Sequence, residues 1–335
     1  MTRHGANKGA KGVTGVTALR NKYGSFSTVS AGGGGAITVD FLVVASGGGG
    51  AMSGAGAGGV RSSYSVGGSQ TGGGGTVEAA KSIVAGQAIT IVIGAGQPGS
   101  TDTFYNRPAA PSATDTYFTY DSVQTACMGG GAGAPSANGP PIGHEGGSGG
   151  GCSNNVNNGA AGTTNQGYRG GNLGYNAANP TNWFSTGGGG AGGTGIDVDT
   201  QSPQSNGGPG IYNLIATTAS GVSGYYAGGG GGGMYTSPGQ RSYGGSGGGG
   251  NSATSHGAQN AQAGATNCGG GGGGQWLHAP GYSGANGGSG IIVFRWLTSA
   301  GSITVGAGLT ADATGTDGSY SYKRFTAGSG TVTFA

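Results

Sequence analysis

The sequence predicts an all-β protein built around packed glycine segments, with almost no α-helix. Glycine accounts for 89 of the 335 residues, and much of it lies in uninterrupted runs. Aliphatic segments of strand length stand between the runs, and no stretch shows sustained helical periodicity. Charged residues make up only 7% of the chain. Side chains suited to chemistry are therefore scarce, and we expect a rigid scaffold rather than an enzyme.

The glycine-rich part is expected to be ordered, because the chain also carries groups that need burial. It contains 15 Tyr, 8 Phe and 3 Trp, whereas disordered glycine-rich linkers usually lack such residues. Ordering glycine costs roughly 0.5–1 kcal/mol per residue relative to alanine. Since glycine has no side chain to pack, backbone hydrogen bonds between closely approaching segments must offset that cost.

Polyglycine helices with three residues per turn are the extended form that best fits these runs. Collagen requires glycine at every third position and abundant proline, whereas this chain has 11 Pro and no such register. Amyloid-like stacking is disfavoured, because Asn, Ser and Pro interrupt the runs. At a rise of about 3.1 Å per residue, the run 228–233 would span roughly 19 Å. We therefore predict a polyglycine II helix bundle.

Residues 1–24 are predicted to be a basic N-terminal docking arm. No acidic residue appears before Asp40, and the arm has few apolar side chains to bury. Docking onto a neighbouring subunit and folding back onto the same chain explain this composition equally well. Nucleic-acid binding is disfavoured, because basic and aromatic residues are not interleaved and the net charge is only +3. The basic residues of the arm are Arg3, Lys8, Lys11, Arg20 and Lys22.

Residues 25–297 are predicted to form one glycine-rich β-sandwich and polyglycine module, and residues 298–335 a polar C-terminal β tailpiece. β-Branched and aromatic residues, which favour strands, cluster between the glycine runs. The strands expected in the module are 37–45, 76–84, 88–93, 117–120, 211–216 and 290–297. The strands expected in the tailpiece lie near 302–305, 320–326 and 331–334.

Enzyme and metal motifs are weak in this sequence. The G-x-G-x-x-G matches at 54–59 and 94–99 lack the following helix of a dinucleotide site, and chance produces such matches at this glycine frequency. The histidines are scattered without metal-ligand spacing. Residues 192–197 resemble half of a calcium-binding repeat, but Asp199 stands where that repeat has an apolar residue. Weak cation binding by Asp197 and Asp199 from a loop is the alternative to a purely structural role. We expect no catalytic residues, no metal site and no cofactor.

The sequence contains neither a membrane-spanning segment nor an export signal, and these two features bear on where the protein is located. No segment approaches the roughly 18 consecutive apolar residues of a membrane span, and no apolar core follows the basic N-terminus. An extracellular character without an export signal suggests release by cell lysis, as for a virus particle. Cys127, Cys152 and Cys268 are odd in number and adjoin glycine runs. We interpret them as small buried residues rather than as a disulfide framework.

The segment 37–45, which leads into the glycines of 47–50, resembles the opening of the glycine-rich domain of bacteriophage tail-fibre and adhesin proteins. The later run 228–233 and the closing strand 290–294 follow the order of that family. A related glycine-rich region occurs in receptors of the anaplastic lymphoma kinase type. The resemblance covers most of the chain, and it implies a jelly-roll-like β-sandwich that holds a polyglycine II helix bundle.

The resemblance also implies a function and a set of partners. It implies a non-enzymatic virion appendage protein, a tail-fibre or adhesin subunit that presents host-binding loops. The implied partners are other virion proteins, further copies of the same chain (a trimer is one arrangement) and a host cell-surface receptor, without nucleic acid or membrane insertion. A capsid decoration or connector protein without receptor binding is the alternative, and a bacterial surface protein is a third interpretation.

Aromatic residues in the insertions between glycine runs are the candidates for receptor binding. These insertions span 101–126, 168–184 and 275–282. Aromatic side chains on loops of a rigid scaffold suit recognition of sugars or protein surfaces. Packing against the ends of the bundle is the alternative role, and we expect it for most of them. The candidates for receptor binding are Tyr105, Tyr117, Trp183 and Trp276.

Overall fold

The structure is a computed structural model that describes part of the chain. The described residues are 35–100, 113–135, 143–153, 158–174, 185–198, 204–217, 220–234, 239–254, 259–276 and 283–335. The predicted docking arm, Tyr105, Trp183 and Asp199 lie outside them. Within the described residues there are β-strands and short 3-10 turns but no α-helix. The all-β prediction is thereby confirmed.

The strands are short except for the first, the ninth and the last. In chain order they are β1 (Ala36–Val44), β2 (Val60–Ser62), β3 (Lys81–Val84), β4 (Ala88–Val92), β5 (Thr116–Tyr120), β6 (Val123–Cys127), β7 (Ile211–Tyr212), β8 (Tyr225–Tyr226), β9 (Ile291–Leu297), β10 (Ile303–Val305), β11 (Leu309–Ala311), β12 (Gly315–Asp317) and β13 (Tyr320–Phe334). Short 3-10 turns lie at Val66–Gly68, Gly72–Gly74 and Thr298–Ala300.

Most strands belong to one 11-stranded antiparallel sheet. Its path is β2-β1-β9-β13-β4-β5-β6, with β3 paired to β1 and with β10, β11 and β12 paired to β13. In the centre, Phe41 of β1 lies opposite Phe294 of β9, and Val43 lies opposite Ile292. A separate two-stranded sheet joins β7 and β8.

The last strand connects the two halves of the large sheet. The first part of β13 pairs with β9, and its final part pairs with β4. The strands predicted near 320–326 and 331–334 are both present, but they belong to one continuous strand, β13. Gly328 lies between them with φ of +86°, a conformation that glycine adopts without strain. Residues of the predicted tailpiece therefore occupy the middle of the sheet.

The main hydrophobic core lies between the facing parts of the folded-over sheet. The ring of Phe118 packs edge-on against the rings of Phe41 and Phe294, with centroid distances of 5.3 and 5.2 Å. Alternate residues of β1 belong to different clusters, because Val43 faces this core whereas Leu42 packs with Tyr226 on the opposite side. Burial on both faces explains why residues 41–44 of β1 are all apolar, whereas the first half of the strand alternates between buried and more exposed residues.

The glycine runs form a bundle in which backbone hydrogen bonds repeat every three residues. In the run 228–233, successive N–H groups donate to the carbonyl oxygens of Gly247, Gly208, Ala55, Gly250, Ser205 and Met52, in that order. Each residue thus bonds to a different neighbouring segment from the residue before it, and the fourth returns to the segment used by the first. This is the geometry of a helix with three residues per turn. The predicted polyglycine II bundle is confirmed.

The run 269–274 shows the same period against other neighbours. Gly271 and Gly274 donate to the carbonyl oxygens of Gly228 and Gly231 at 2.9 and 2.8 Å. Between them, Gly272 donates to Gly48 at 3.0 Å. In both runs, a Cβ on each glycine at which φ is negative would come within 3.0 Å of a neighbouring segment's backbone. The close spacing that permits these hydrogen bonds thus leaves no room for side chains.

Candidate functional site

Ser185, which follows the insertion 168–184, and Gln275, the first residue of the insertion 275–282, lie at one end of the bundle, which we call the distal end. From Val44, the end of β1, residues 45–50 run along the bundle for about 19 Å at roughly 3.1 Å per residue, and the chain bends at 51–53. Around Met52 and Ser53 lie residues at which insertions start or finish. Ser185 donates its hydroxyl to the carbonyl oxygen of Met52 at 2.9 Å, and Gln275 donates its N–H to Ala51 at 2.7 Å.

Buried hydroxyl groups tie the segments together at the distal end. The Ser53 hydroxyl donates to the carbonyl oxygen of Gly151 at 2.8 Å and accepts from the N–H of Ala134 at 2.6 Å. The Ser185 hydroxyl also lies 2.6 Å from the carbonyl oxygen of Gly233. Both serines are fully buried and hydrogen-bonded to backbone groups. They therefore fix the bases of the insertions rather than act as nucleophiles.

Two of the four aromatic candidates lie within the described residues. Tyr117 is half-buried on β5, where it lies opposite Ala126 of β6. Trp276 follows Gln275 at the distal end and is only 6% exposed. Little of its ring is free to stack on a ligand, so its position suits packing at the bundle end. The structure does not bring Tyr117 and Trp276 together, since one lies on the sheet and the other at the distal end.

Asp197, a candidate for weak cation binding, is instead held by a basic side chain. Arg169 donates to its two carboxylate oxygens at 2.8 and 3.0 Å, and the N–H of Asn172 donates at 2.8 Å. The hydrogen bonds from Arg169 lower the pKa of the Asp197 carboxyl. A structural role therefore fits Asp197 better than cation binding. Within the described part of the chain, no group of three His, Cys, Asp or Glu side chains is placed to hold a metal ion.

The three cysteines are free and buried, as the sequence interpretation expects. Burial raises the pKa of Cys127 well above that of an ordinary thiol and raises the pKa of Cys268 to about 11. The thiol of Cys127 also points at the carbonyl oxygen of Val43, 3.3 Å away. All three cysteines therefore remain protonated at neutral pH and act as small packing residues.

A polar cleft beside β2, between residues 71–78 and 164–166, has no counterpart in the sequence analysis. It encloses about 470 Å³. Arg61 and Glu78 form a forked ion pair on its wall, at 2.6 and 2.8 Å. No sequence motif predicts this cleft, because its lining residues are common polar types that come together only in the folded protein. The cleft is lined by Arg61, Thr71, Gly74, Gly75, Thr76, Glu78, Thr164, Asn165 and Gln166.

Comparison with known proteins identifies the family of the chain. A family model described as a glycine-rich domain matches residues 17–297, so the chain belongs to that family. Neither the curated proteins nor the solved structures include a detectable match. Among the residues that the structure describes, none forms a helix long and apolar enough to cross a membrane.

Proposed function

We propose that this member of the glycine-rich domain family is a non-enzymatic subunit of a phage tail fibre or adhesin that presents host-binding insertions. The observation that carries the proposal is the distal end. There, the attachment points Ser185 and Gln275 gather around Met52, on a bundle held by backbone hydrogen bonds.

The construction of the bundle suits display rather than catalysis. Its interior consists of backbone groups, which present the same chemistry at every residue and cannot distinguish one partner from another. Discrimination must therefore reside in the side chains of the insertions. A rigid bundle beneath the insertions also reduces the conformational entropy that is lost when an insertion binds its target. The aromatic content of the insertions, with Tyr105 and Trp183 as sequence candidates, adds groups that stack on sugars or protein surfaces.

The proposal places the protein in the virion, attached to other virion proteins and to copies of itself. The basic residues of 1–24 are the proposed contacts for that attachment. A host cell-surface receptor is the proposed partner of the insertions. The alternative assignment, a capsid decoration or connector protein, differs in having no receptor.

Binding to bacterial cells tests the proposal. Fluorescently labelled protein is incubated with a panel of bacterial strains, and bound fluorescence is measured by flow cytometry. A second variant has residues 176–183 replaced by a Gly-Ser linker of equal length. A control variant carries Gly318→Asn and Ser319→Gly in the exposed turn before β13, far from the distal end. We expect saturable binding to a subset of strains, loss of binding in the linker variant and unchanged binding in the control.

Immunogold electron microscopy of purified phage supplies the second measurement. Labelling of a tail appendage supports the proposal. Labelling of the capsid without binding to any strain would favour the decoration protein, and absence from particles would overturn a virion role altogether.

A further inference from the structure

We infer that the polar cleft beside β2 binds a neutral saccharide, at a site separate from the distal insertions. The cleft lies beside the sheet, where the N–H of Val60 donates to the carbonyl oxygen of Gln166 at 3.0 Å. Its volume of about 470 Å³ falls within the range of small-molecule sites and suits one or two sugar rings.

The charged groups of the cleft neutralise each other. Arg61 donates from Nε and one terminal nitrogen to the two carboxylate oxygens of Glu78, at 2.6 and 2.8 Å. Its other terminal nitrogen donates to the carbonyl oxygen of Ala126 at 3.3 Å. Of the five guanidinium N–H groups, these three bonds leave two for a ligand, and the carboxylate keeps free lone pairs. An anionic ligand would face Glu78 and a cationic one Arg61, so an uncharged ligand fits best.

The remaining polar groups match the hydroxyls of a sugar. Thr76, Thr164 and Asn165 are exposed, and their side chains make no hydrogen bond to other described residues. An amide supplies both donor and acceptor, and a hydroxyl supplies either, as paired sugar hydroxyls require. Asn165 holds its place at φ of +60°, within a turn closed by the hydrogen bond from Gln166 N–H to the carbonyl oxygen of Thr163.

The wall of the cleft is connected through Ala126 to an aromatic residue on the sheet, Tyr117. The carbonyl oxygen of Ala126 accepts from both Arg61 and the side-chain amide of Gln166, the latter at 3.4 Å. Ala126 is also the register partner of Tyr117 on the next strand. A saccharide longer than the cleft would cross Ala126 and reach Tyr117, whose ring offers a stacking surface.

The sheet surface beyond Tyr117 is also uncharged. Thr90, Thr119 and Gln124 lie in register across β4, β5 and β6. They share the outward face of the sheet with Tyr117, because residues two apart on a strand point to the same side. The surface therefore continues the neutral, hydrogen-bonding character of the cleft.

Saturation-transfer NMR and titration of the purified chain test this inference. The probes are methyl glycosides of glucose, galactose and N-acetylglucosamine, their neutral oligosaccharides, and sialylated and sulfated counterparts. Asn165→Gly removes the amide but retains a residue suited to positive φ. Ser223→Gly, at φ of +53° on an exposed turn away from the cleft, is the matched control. We expect Asn165→Gly to weaken binding of a neutral glycoside about tenfold, with the control unchanged.

Tyr117→Ala separates the cleft from its extension. We expect it to leave the affinity for methyl glycosides unchanged and to weaken binding of the longer oligosaccharides. Absence of neutral glycoside binding, stronger binding of the charged probes, or equal affinities of the Asn165→Gly and control variants would overturn the inference. These measurements involve neither cells nor virions, so their failure and a failure of the display function are distinguishable.

Discussion

The Cα of Gly230 packs against the carbonyl oxygen of Gly272 so closely that a Cβ on Gly230 would lie less than 3.0 Å from that oxygen. Gly271 stands in the same relationship to the carbonyl oxygen of Ala55. Neither glycine has a positive φ. Space, and not backbone conformation, therefore requires glycine at these positions, and both opposing atoms belong to backbone that other hydrogen bonds hold in place.

Valine at either position should be strongly destabilising. We expect Gly230→Val and Gly271→Val each to lower the free energy of unfolding by about 3 kcal/mol or more, because overpacking forces neighbouring segments apart. Urea denaturation and thermal melting measure the effect. Gly35→Val is the matched control, since nothing lies within 4 Å of a Cβ there. Melting curves that match the control would contradict the packed bundle.

Arg295 illustrates a different source of stability on the sheet. Its guanidinium lies 5.2 Å from the ring centroid of Tyr64 and 4.6 Å from that of Tyr320, and it donates to Asp317 at 2.8 Å. Its side chain is only 7% exposed. A planar cation stacked between two rings has no equivalent in lysine.

We expect Arg295→Lys to lower the free energy of unfolding by about 2 kcal/mol. The control is Arg169→Lys, which makes the same change in the exposed pair with Asp197 and should cost at most about 1 kcal/mol. Urea denaturation of both variants measures the two losses in the free energy of unfolding. Equal losses would show that the two tyrosine rings add nothing to the ion pair.

The sequence predicted the strands that are buried on both faces, together with the glycine bundle. β1 and β9 were found because continuous aliphatic runs need no knowledge of their partners. β2 and β8 were missed because they are only three and two residues long. β6 was missed because its polar and small residues form no aliphatic run, although it pairs with the adjacent β5. The cleft was missed because Arg61 and Asn165 are far apart in the chain. Exposure of individual aromatics also depends on such contacts, as the burial of Trp276 shows.

The cysteines should be inert until the protein unfolds. Burial raises the pKa of Cys268 to about 11, so at pH 8 only about a thousandth of this thiol is ionised. Cys127 and Cys152 are fully buried. We expect no reaction with a thiol-specific chromogenic disulfide in native protein at pH 8, and reaction of all three thiols in guanidinium chloride. Rapid labelling of the native protein would contradict the burial and the raised pKa.

The two candidate tryptophans of the insertions should behave in opposite ways. Trp276 is 6% exposed beside the buried Gln275, so Trp276→Ala removes a packed ring from the distal end. We expect it to lower the free energy of unfolding by about 3 kcal/mol. Trp183 belongs to the insertion 168–184, and under the proposed function its ring contacts the host receptor. We expect Trp183→Ala to weaken attachment to bacterial cells while leaving the melting temperature nearly unchanged.

Thermal melting and flow cytometry on both variants, with binding normalised to folded protein, separate the two roles. Trp276→Ala protein that remains folded should still attach, because the insertions keep their other side chains. The reverse result for Trp183, a large loss of stability with attachment intact per folded molecule, would assign that ring to packing as well. Recognition would then have to use other residues of the insertions, and the decoration-protein alternative would gain support.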